Sequence, residues 1–243
     1  KTVLITGGTG GIGSEIIKLF YKNDYNILFT FSKNYKEAKK IRDLIIKNKK
    51  QCYFIKCDFQ NESINSIKRK ISKLCKKSKK IDILINNAGY LNQLKFDKID
   101  ENEWDKNFQI NLKSVFFITQ ELSKIFKKQK FGNILNIASI GGQIGGDLAI
   151  HYAASKAAII SLTKSYARLL SRYNVRVNCI SPGIIKTRMV KKMLKKKNIL
   201  NSYLIKRFAE PNDVAQLALF LASEDASFVT GQTYNVNGGS FFG

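Results

Sequence analysis

Tyr152 and Lys156 are the residues whose types and spacing most directly promise chemistry. They stand four apart in a segment with helical periodicity, so the phenol and the ammonium share one face. A free phenol ionises at about pH 10, too high to exchange protons readily near neutrality, and a neighbouring cation favours the phenolate. The pair is therefore a candidate acid/base. A second feature is TGGTGGIG, Thr6 to Gly13, set between an apolar run and a helical pattern. Glycines at Gly7, Gly11 and Gly13 allow a tight turn, a close approach of backbone N–H groups to a pyrophosphate, and close packing of the helix on a sheet. No Gly-Lys-Ser/Thr follows, which excludes a P-loop. After the second apolar run, Phe31-Ser32-Lys33-Asn34 supplies a hydroxyl and an ammonium where an NAD site would want a carboxylate. That composition favours NADP(H). Asp58, after the third run, is placed to accept from the adenine amino group.

These groups need elements to hold them. Short apolar runs alternate with longer amphipathic ones, and only two prolines interrupt them. The runs predict strands at 2–6, 26–31, 52–56, 82–86, 132–138, 175–180 and 232–236, and helices at 12–22, 35–48, 63–76, 102–129, 152–171 and 212–223. Strands joined by crossover helices pair in parallel with right-handed connections. The expected product is an α/β fold, a Rossmann-type doubly wound parallel seven-stranded sheet, in a single domain over residues 1–243. Residues 184–209 break the rhythm with a Lys-rich excursion, read as a substrate lid over the crevice.

Composition sets outer limits. The 243 residues carry 42 Lys+Arg against 18 Asp+Glu, a formal charge of +24 that favours anionic partners. Lys outnumbers Arg 35 to 7, so coding bias competes with selection as the source of that charge. Four cysteines and one histidine, with no CxxC or HxxxH, exclude a disulfide scaffold and a zinc site of standard spacing; no metal is expected. Free thiols, the lack of a membrane-length apolar run, and an N-terminal apolar stretch too short for a signal peptide are read as a cytoplasmic protein.

In sum the sequence resembles a short-chain dehydrogenase/reductase over essentially its full length. The family's motifs stand in order: the glycine loop, Asp58, NNAG at Asn86 to Gly89, a helix Asn at Asn111, Ser139, YxxxK at Tyr152 and Lys156, PG at Pro182-Gly183 with Thr187 after it, and NGG at Asn237 to Gly239. The resemblance implies that Tyr152 protonates a carbonyl and that Lys156 lowers its pKa and holds the nicotinamide ribose. It further implies that Ser139 orients the carbonyl and that Asn111 helps position a water in a proton relay. It implies a cofactor site of Gly7, Thr9, Gly10, Gly11, Ile12, Gly13, Ser32, Lys33, Cys57, Asp58, Phe59, Asn86, Asn87, Ala88 and Gly89, with Tyr152, Lys156, Pro182, Gly183, Ile185 and Thr187 on the nicotinamide side.

Within the family, residues 103–116, 181–189 and 220–239 are similar to 3-oxoacyl-carrier-protein reductases, blocks shared with sugar, polyol and hydroxysteroid dehydrogenases. Reduction of a 3-oxoacyl thioester, on acyl carrier protein or coenzyme A, is the first reading; a sugar, polyol or other secondary alcohol is the alternative. Gly10 stands where the subgroup usually carries Arg, which moves 2′-phosphate recognition onto Ser32 and Lys33. Lys130 matches one carrier-contact position near the mouth, and Arg172 adjoins Tyr173 at the other. Tyr90 to Leu94 replace the subgroup's usual residues at the substrate entrance. Between Leu148 and Ala209 there is no Asp or Glu, whereas Lys195, Lys196, Lys197 and other cations fall there. This pattern fits an anionic carrier or thioester. A nucleic-acid-binding protein on the same fold is the remote rival; no binding motif supports it. Helices at 102–129 and 152–171 carry apolar residues on more than one face, which with the resemblance implies a homotetramer. His151 reads as incidental.

Overall fold

Alternation along the strands explains why each one sits where it does. In β1 (Thr2–Ile5), Val3 and Ile5 pack into one apolar cluster and Leu4 into another, all fully buried. A strand buried on both faces belongs inside a parallel sheet. The computed structural model shows that sheet and describes every residue except 48, 49, 192 and 196, with the side chains of 195, 197 and 199 likewise outside the description. The remaining strands are β2 (Asn26–Phe31), β3 (Cys52–Lys56), β4 (Ile83–Asn86), β5 (Gly132–Ile137), β6 (Val175–Pro182) and β7 (Thr233–Val236). All seven pair in parallel in the order β3-β2-β1-β4-β5-β6-β7. Every predicted strand is present, and the order reverses between β1 and β4, which opens a crevice at the carboxyl ends of those strands.

Helices cover both faces. α1 (Gly11–Lys22), α2 (Tyr35–Ile46) and α8 (Pro211–Ala222) pack against Val3, Ile5, Ile27 and Phe29; α3 (Ile64–Cys75), α5 (Ser114–Gln129) and α7 (Ile150–Leu170) pack against Leu4, Leu28, Leu84 and Ile134. Their starts are chemically marked. Asn34 caps α2 by accepting from Glu37 N at 3.1 Å, and Ser63 caps α3 by accepting from Ser66 N at 3.2 Å. Pro211 opens α8 inside a capping box of Glu210 and Asp213.

The helix predicted over 102–129 is not continuous. It divides into α4 (Glu101–Phe108), a π turn over Gln109–Lys113, and α5. The cause is tertiary: the Asn111 side chain in the π turn is drawn onto the backbone of Tyr90, donating to its carbonyl at 2.9 Å and accepting from its N–H at 2.8 Å. Single π turns of this kind mark functional positions in helices.

A polar spine runs beneath the crevice. Asn86 Nδ2 donates to Thr119 Oγ1 (3.1 Å) and Asn136 Oδ1 (2.8 Å), and Asn136 Nδ2 donates to Thr163 Oγ1 (2.9 Å), all four residues being buried. It ties β4 and β5 to α5 and α7, the elements that carry the chemistry.

All four cysteines are free and buried. Burial pushes Cys52, Cys57 and Cys75 up to about 12 and Cys179 up to about 11, so each is an un-ionised thiol at neutral pH. The native protein should therefore be inert to a thiol-disulfide reagent such as Ellman's near neutrality, with four thiols titrating on unfolding. Rapid native labelling at any of them would contradict the packing.

Candidate active site

The crevice is a cleft of about 1230 Å³. Its floor on one side is the glycine loop. Gly7 has φ +66, a conformation that favours glycine, and Gly8 N donates to Thr30 O at 2.8 Å, which turns the chain sharply off β1. Gly10 then leads into α1, whose first-turn amides, Gly11, Ile12 and Gly13, have no acceptor within the helix and line the cleft. The loop is fastened to the loop after β4. Thr6 Oγ1 accepts from Asn87 N and Ala88 N, both at 3.0 Å, while Asn87 Nδ2 donates to the carbonyls of Thr6 (2.9 Å) and Gly7 (3.2 Å).

A Cβ at Gly13 would lie 2.4 Å from Gly7 O and 2.6 Å from Asn87 Nδ2, and one at Gly11 would lie 2.6 Å from Thr187 Cγ2. The loop is thus a backbone cradle with no space for side chains at Gly11 or Gly13, which fits a dinucleotide phosphate. Ser32 and Lys33 stand exposed at its rim, with Cys57, Asp58 and Phe59 along the adjoining wall. Asp58 Oδ1 accepts from Gln60 N (3.1 Å) and Oδ2 from Asn61 Nδ2 (2.9 Å), and a carboxylate has further acceptor capacity. Glu37 also lines this part, a carboxylate that the residues immediately after β2 do not reveal.

The opposite wall carries Ser139, Tyr152 and Lys156. Ser139 follows β5, and its Oγ accepts from Gly141 N at 3.2 Å at the start of α6 (Gly141–Ile144). Gly142 lies directly on α7, where a Cβ would meet the Lys156 carbonyl carbon at 2.6 Å. That contact seats Lys156, only 4% exposed, whose Nζ donates to Ile137 O at 2.8 Å and stands 5.7 Å from the Tyr152 ring centroid. Burial lowers the Lys156 pKa to about 8. Tyr152 behaves differently from expectation. Desolvation pushes its pKa up, opposed by Ser139.

Pro182, Gly183, Ile185 and Thr187 line the end of the cleft beyond β6. Residues 184–209 leave β6 here and return: Ile185 bridges Ala209, Lys186 N donates to Ala209 O at 2.8 Å, and Tyr203 Oη accepts from Ile184 N at 3.1 Å. Lys186 is paired with Glu210 and Arg207 with Asp213, so the root of the segment is tied to α8.

Every sequence-derived site residue lines the cleft except two. Asn86 does not: it is the last residue of β4, and its side chain follows Leu84 to the face covered by α5 and α7, where it joins the polar spine. Asn111 is fully buried behind the wall, its side chain spent on Tyr90, Asn107 and Ser155. The basic residues also separate. Lys130 follows α5 and Arg172 follows α7, and those helices run back to the start of β5 and β6. Both residues therefore stand at the edge of the sheet opposite the cleft mouth, not beside it. Of the lid lysines, Lys196 lies outside the described residues, as do the side chains of Lys195 and Lys197. Among the described residues no cluster of His, Cys, Asp or Glu could hold a metal ion, and no helix is long and apolar enough to cross a membrane.

A Rossmann-type sheet, a dinucleotide cradle and a Ser-Tyr-Lys set on facing walls define a nicotinamide-dependent oxidoreductase acting on a CH–OH/C=O pair. Comparison with known proteins agrees. The family model described as enoyl-(acyl carrier protein) reductase matches residues 7–240. The 3-oxoacyl-(acyl-carrier-protein) reductase of Thermotoga maritima is 35% identical over 98% of this chain and 97% of its own length; that of Rickettsia typhi is 37% identical over 98% and 96%. Among solved structures, ElxO with NADP bound superimposes with a TM-score of 0.90 at 31% identity, covering 99% of this chain and 98% of that one. A short-chain dehydrogenase/reductase of Brucella melitensis, described as a glucose/ribitol dehydrogenase, gives 0.91 at 28%, covering 100% and 97%. The chain belongs to the short-chain dehydrogenase/reductase family.

The cradle yields a direct expectation. Gly13→Ala should weaken dinucleotide binding by about tenfold or more, since the atoms its Cβ meets are backbone and a clamped amide that cannot give. Equilibrium binding monitored by nicotinamide fluorescence measures this, and unchanged affinity would remove the loop from the cofactor site.

Proposed function

We propose that the protein reduces the 3-oxo group of an acyl thioester, carried on acyl carrier protein or coenzyme A, to the 3-hydroxy group with NADPH. The observation that carries the reading is that Ser139 and Tyr152 line one wall of the cleft together, with the Lys156 ammonium buried behind them. A nicotinamide cofactor, when bound, supplies the hydride. Tyr152 supplies the proton: its raised pKa keeps the phenol in the acid form at neutral pH, as reduction of a carbonyl requires. Ser139 holds the substrate oxygen against that phenol. Lys156, charged below about pH 8, stabilises the negative charge left on Tyr152 as the proton departs.

NADPH over NADH rests on the Ser32 hydroxyl and Lys33 ammonium at the rim. The acyl carrier or coenzyme A rests on the names borne by the relatives and on the acid-free stretch from 148 to 209, from which Arg188 lines the cleft. Residues 184–209, rooted at both ends, serve as the lid. A homotetramer accounts for the groove of about 1180 Å³ between α4, α5 and α7, lined by Phe108, Leu112, Phe116, Phe117 and Leu162. Free thiols are in keeping with the cytoplasm.

The test is NADPH oxidation with acetoacetyl-coenzyme A, run beside NADH, crotonyl-coenzyme A and a polyol with oxidised cofactor, at low and high salt. NADPH-selective turnover of the 3-oxo substrate that falls with salt is expected; turnover of crotonyl thioester or polyol instead would replace the substrate assignment. Tyr152→Phe should lower kcat roughly a hundredfold or more with cofactor affinity kept. Retained turnover would overturn its role. The pH dependence has a fixed sign: the charged Lys156 is lost as pH rises through about 8, so kcat/KM should decline on the alkaline side there, and a plateau running to the ordinary lysine range would contradict it.

A further inference from the structure

His151, immediately before Tyr152, is fully buried, and neither ring nitrogen has a hydrogen-bond partner among the described residues. A buried imidazole left so is costly and asks for an explanation. Glu103 of α4 faces it, with Oε1 3.6 Å from His151 Nε2, and that oxygen too is buried and without a hydrogen-bond partner. The gap is just beyond hydrogen-bond reach, so a small rotation closes it. The other carboxylate oxygen is engaged: Glu103 Oε2 accepts from Tyr90 Oη at 3.3 Å. Tyr90 follows Gly89 in the loop after β4, lines the cleft, holds the Asn111 side chain with its backbone, and has Lys106 Nζ 4.1 Å from its ring centroid.

One carboxylate therefore lies between the first turn of α7 and the loop after β4, facing His151 and accepting from Tyr90. That turn needs an external reference. It begins at Ala149, which has φ +57, and no side chain caps it. Its placement, and with it that of Tyr152, must come from tertiary contacts.

We propose that Glu103, His151 and Tyr90 form a positioning unit that fixes the first turn of α7 against residues 89–90, and so sets the path along which Tyr152 hands over its proton. None of the three is placed to touch the reacting atoms. The inference rests on the reading of Tyr152 as the acid. A misplacement well under the length of a bond to substrate is enough to slow a positioned proton transfer.

Glu103→Gln and His151→Gln should each lower kcat about tenfold with acetoacetyl-coenzyme A and NADPH, leave the NADPH Kd and the melting temperature near the parent's, and enlarge the solvent deuterium isotope effect on kcat. Because one contact is removed in either case, the double variant should be no slower than the slower single. Parental kcat in Glu103→Gln, or losses that multiply in the double, would overturn the unit. Should Glu103→Gln fail to fold, Tyr90→Phe, which removes only a hydroxyl, carries the same readouts, and a parental kcat with a parental isotope effect there would equally overturn it. Tyr152→Phe separates the two levels. If it stays active, the reading of the acid has failed; if it is inactive while the Glu103 and His151 variants match the parent, the positioning unit alone has failed.

Discussion

Much of this structure answers to one problem, the burial of the Lys156 ammonium. A lysine head group taken out of water is expensive unless paired, and here its protein partner is the carbonyl of Ile137 at 2.8 Å. That acceptor is available because β5 ends at Ile137 and its carbonyl leaves the ladder at the carboxyl edge of the sheet. Gly142 seals the other side by lying against the α7 backbone. The residual cost appears as a pKa lowered to about 8, against 10.5 for an exposed lysine. In the window between those values the unfolded chain binds the extra proton, so this group's contribution to stability rises with pH there. At neutral pH the cation is retained at the expense of stability, as is common where a charge serves chemistry.

Around that charge the fold supplies rigidity at each point where a loop meets the cleft. Thr6 and Asn87 weld the glycine loop to the loop after β4; Asn111 clasps the backbone of Tyr90; Asn86, Asn136, Thr119 and Thr163 brace the strands beneath. Each is a hydrogen-bonded polar contact in a low-dielectric setting, where paired groups specify one arrangement. The π turn is the visible consequence of the second of these. Residues 184–209 are held by Ile185–Ala209 pairing, by Leu204 N and Ile205 N donating to Gly238 O, and by the Lys186–Glu210 and Arg207–Asp213 ion pairs at the start of α8.

What was legible in the sequence was what is local. The seven strands follow from short apolar runs between amphipathic ones and the glycine cradle from backbone freedom at Gly7, neither of which needs a partner to be known. The break in the helix over 102–129 was hidden, because its cause, the Tyr90 backbone, lies 21 residues away. The inward turn of Asn86 could have been read from strand alternation, since it shares a face with Leu84, and the far-edge placement of Lys130 and Arg172 from the fact that crossover helices run antiparallel to their strands. The direction of the Tyr152 shift could not: proximity of a cation at i,i+4 says nothing about where that cation points or how dry the phenol is. His151 and Glu103 are 48 residues apart, and only packing shows them facing each other with unmet atoms.

The central claim, that a buried ammonium organises the site, is tested most directly by titrating Lys156 itself. Carbon-13 NMR of lysine side chains in the free protein, with Lys156→Met to assign the signal, should give a midpoint near 8. A midpoint at the ordinary lysine value of about 10.4 would show the head group to be solvated, and the account of the site built on its burial would not stand.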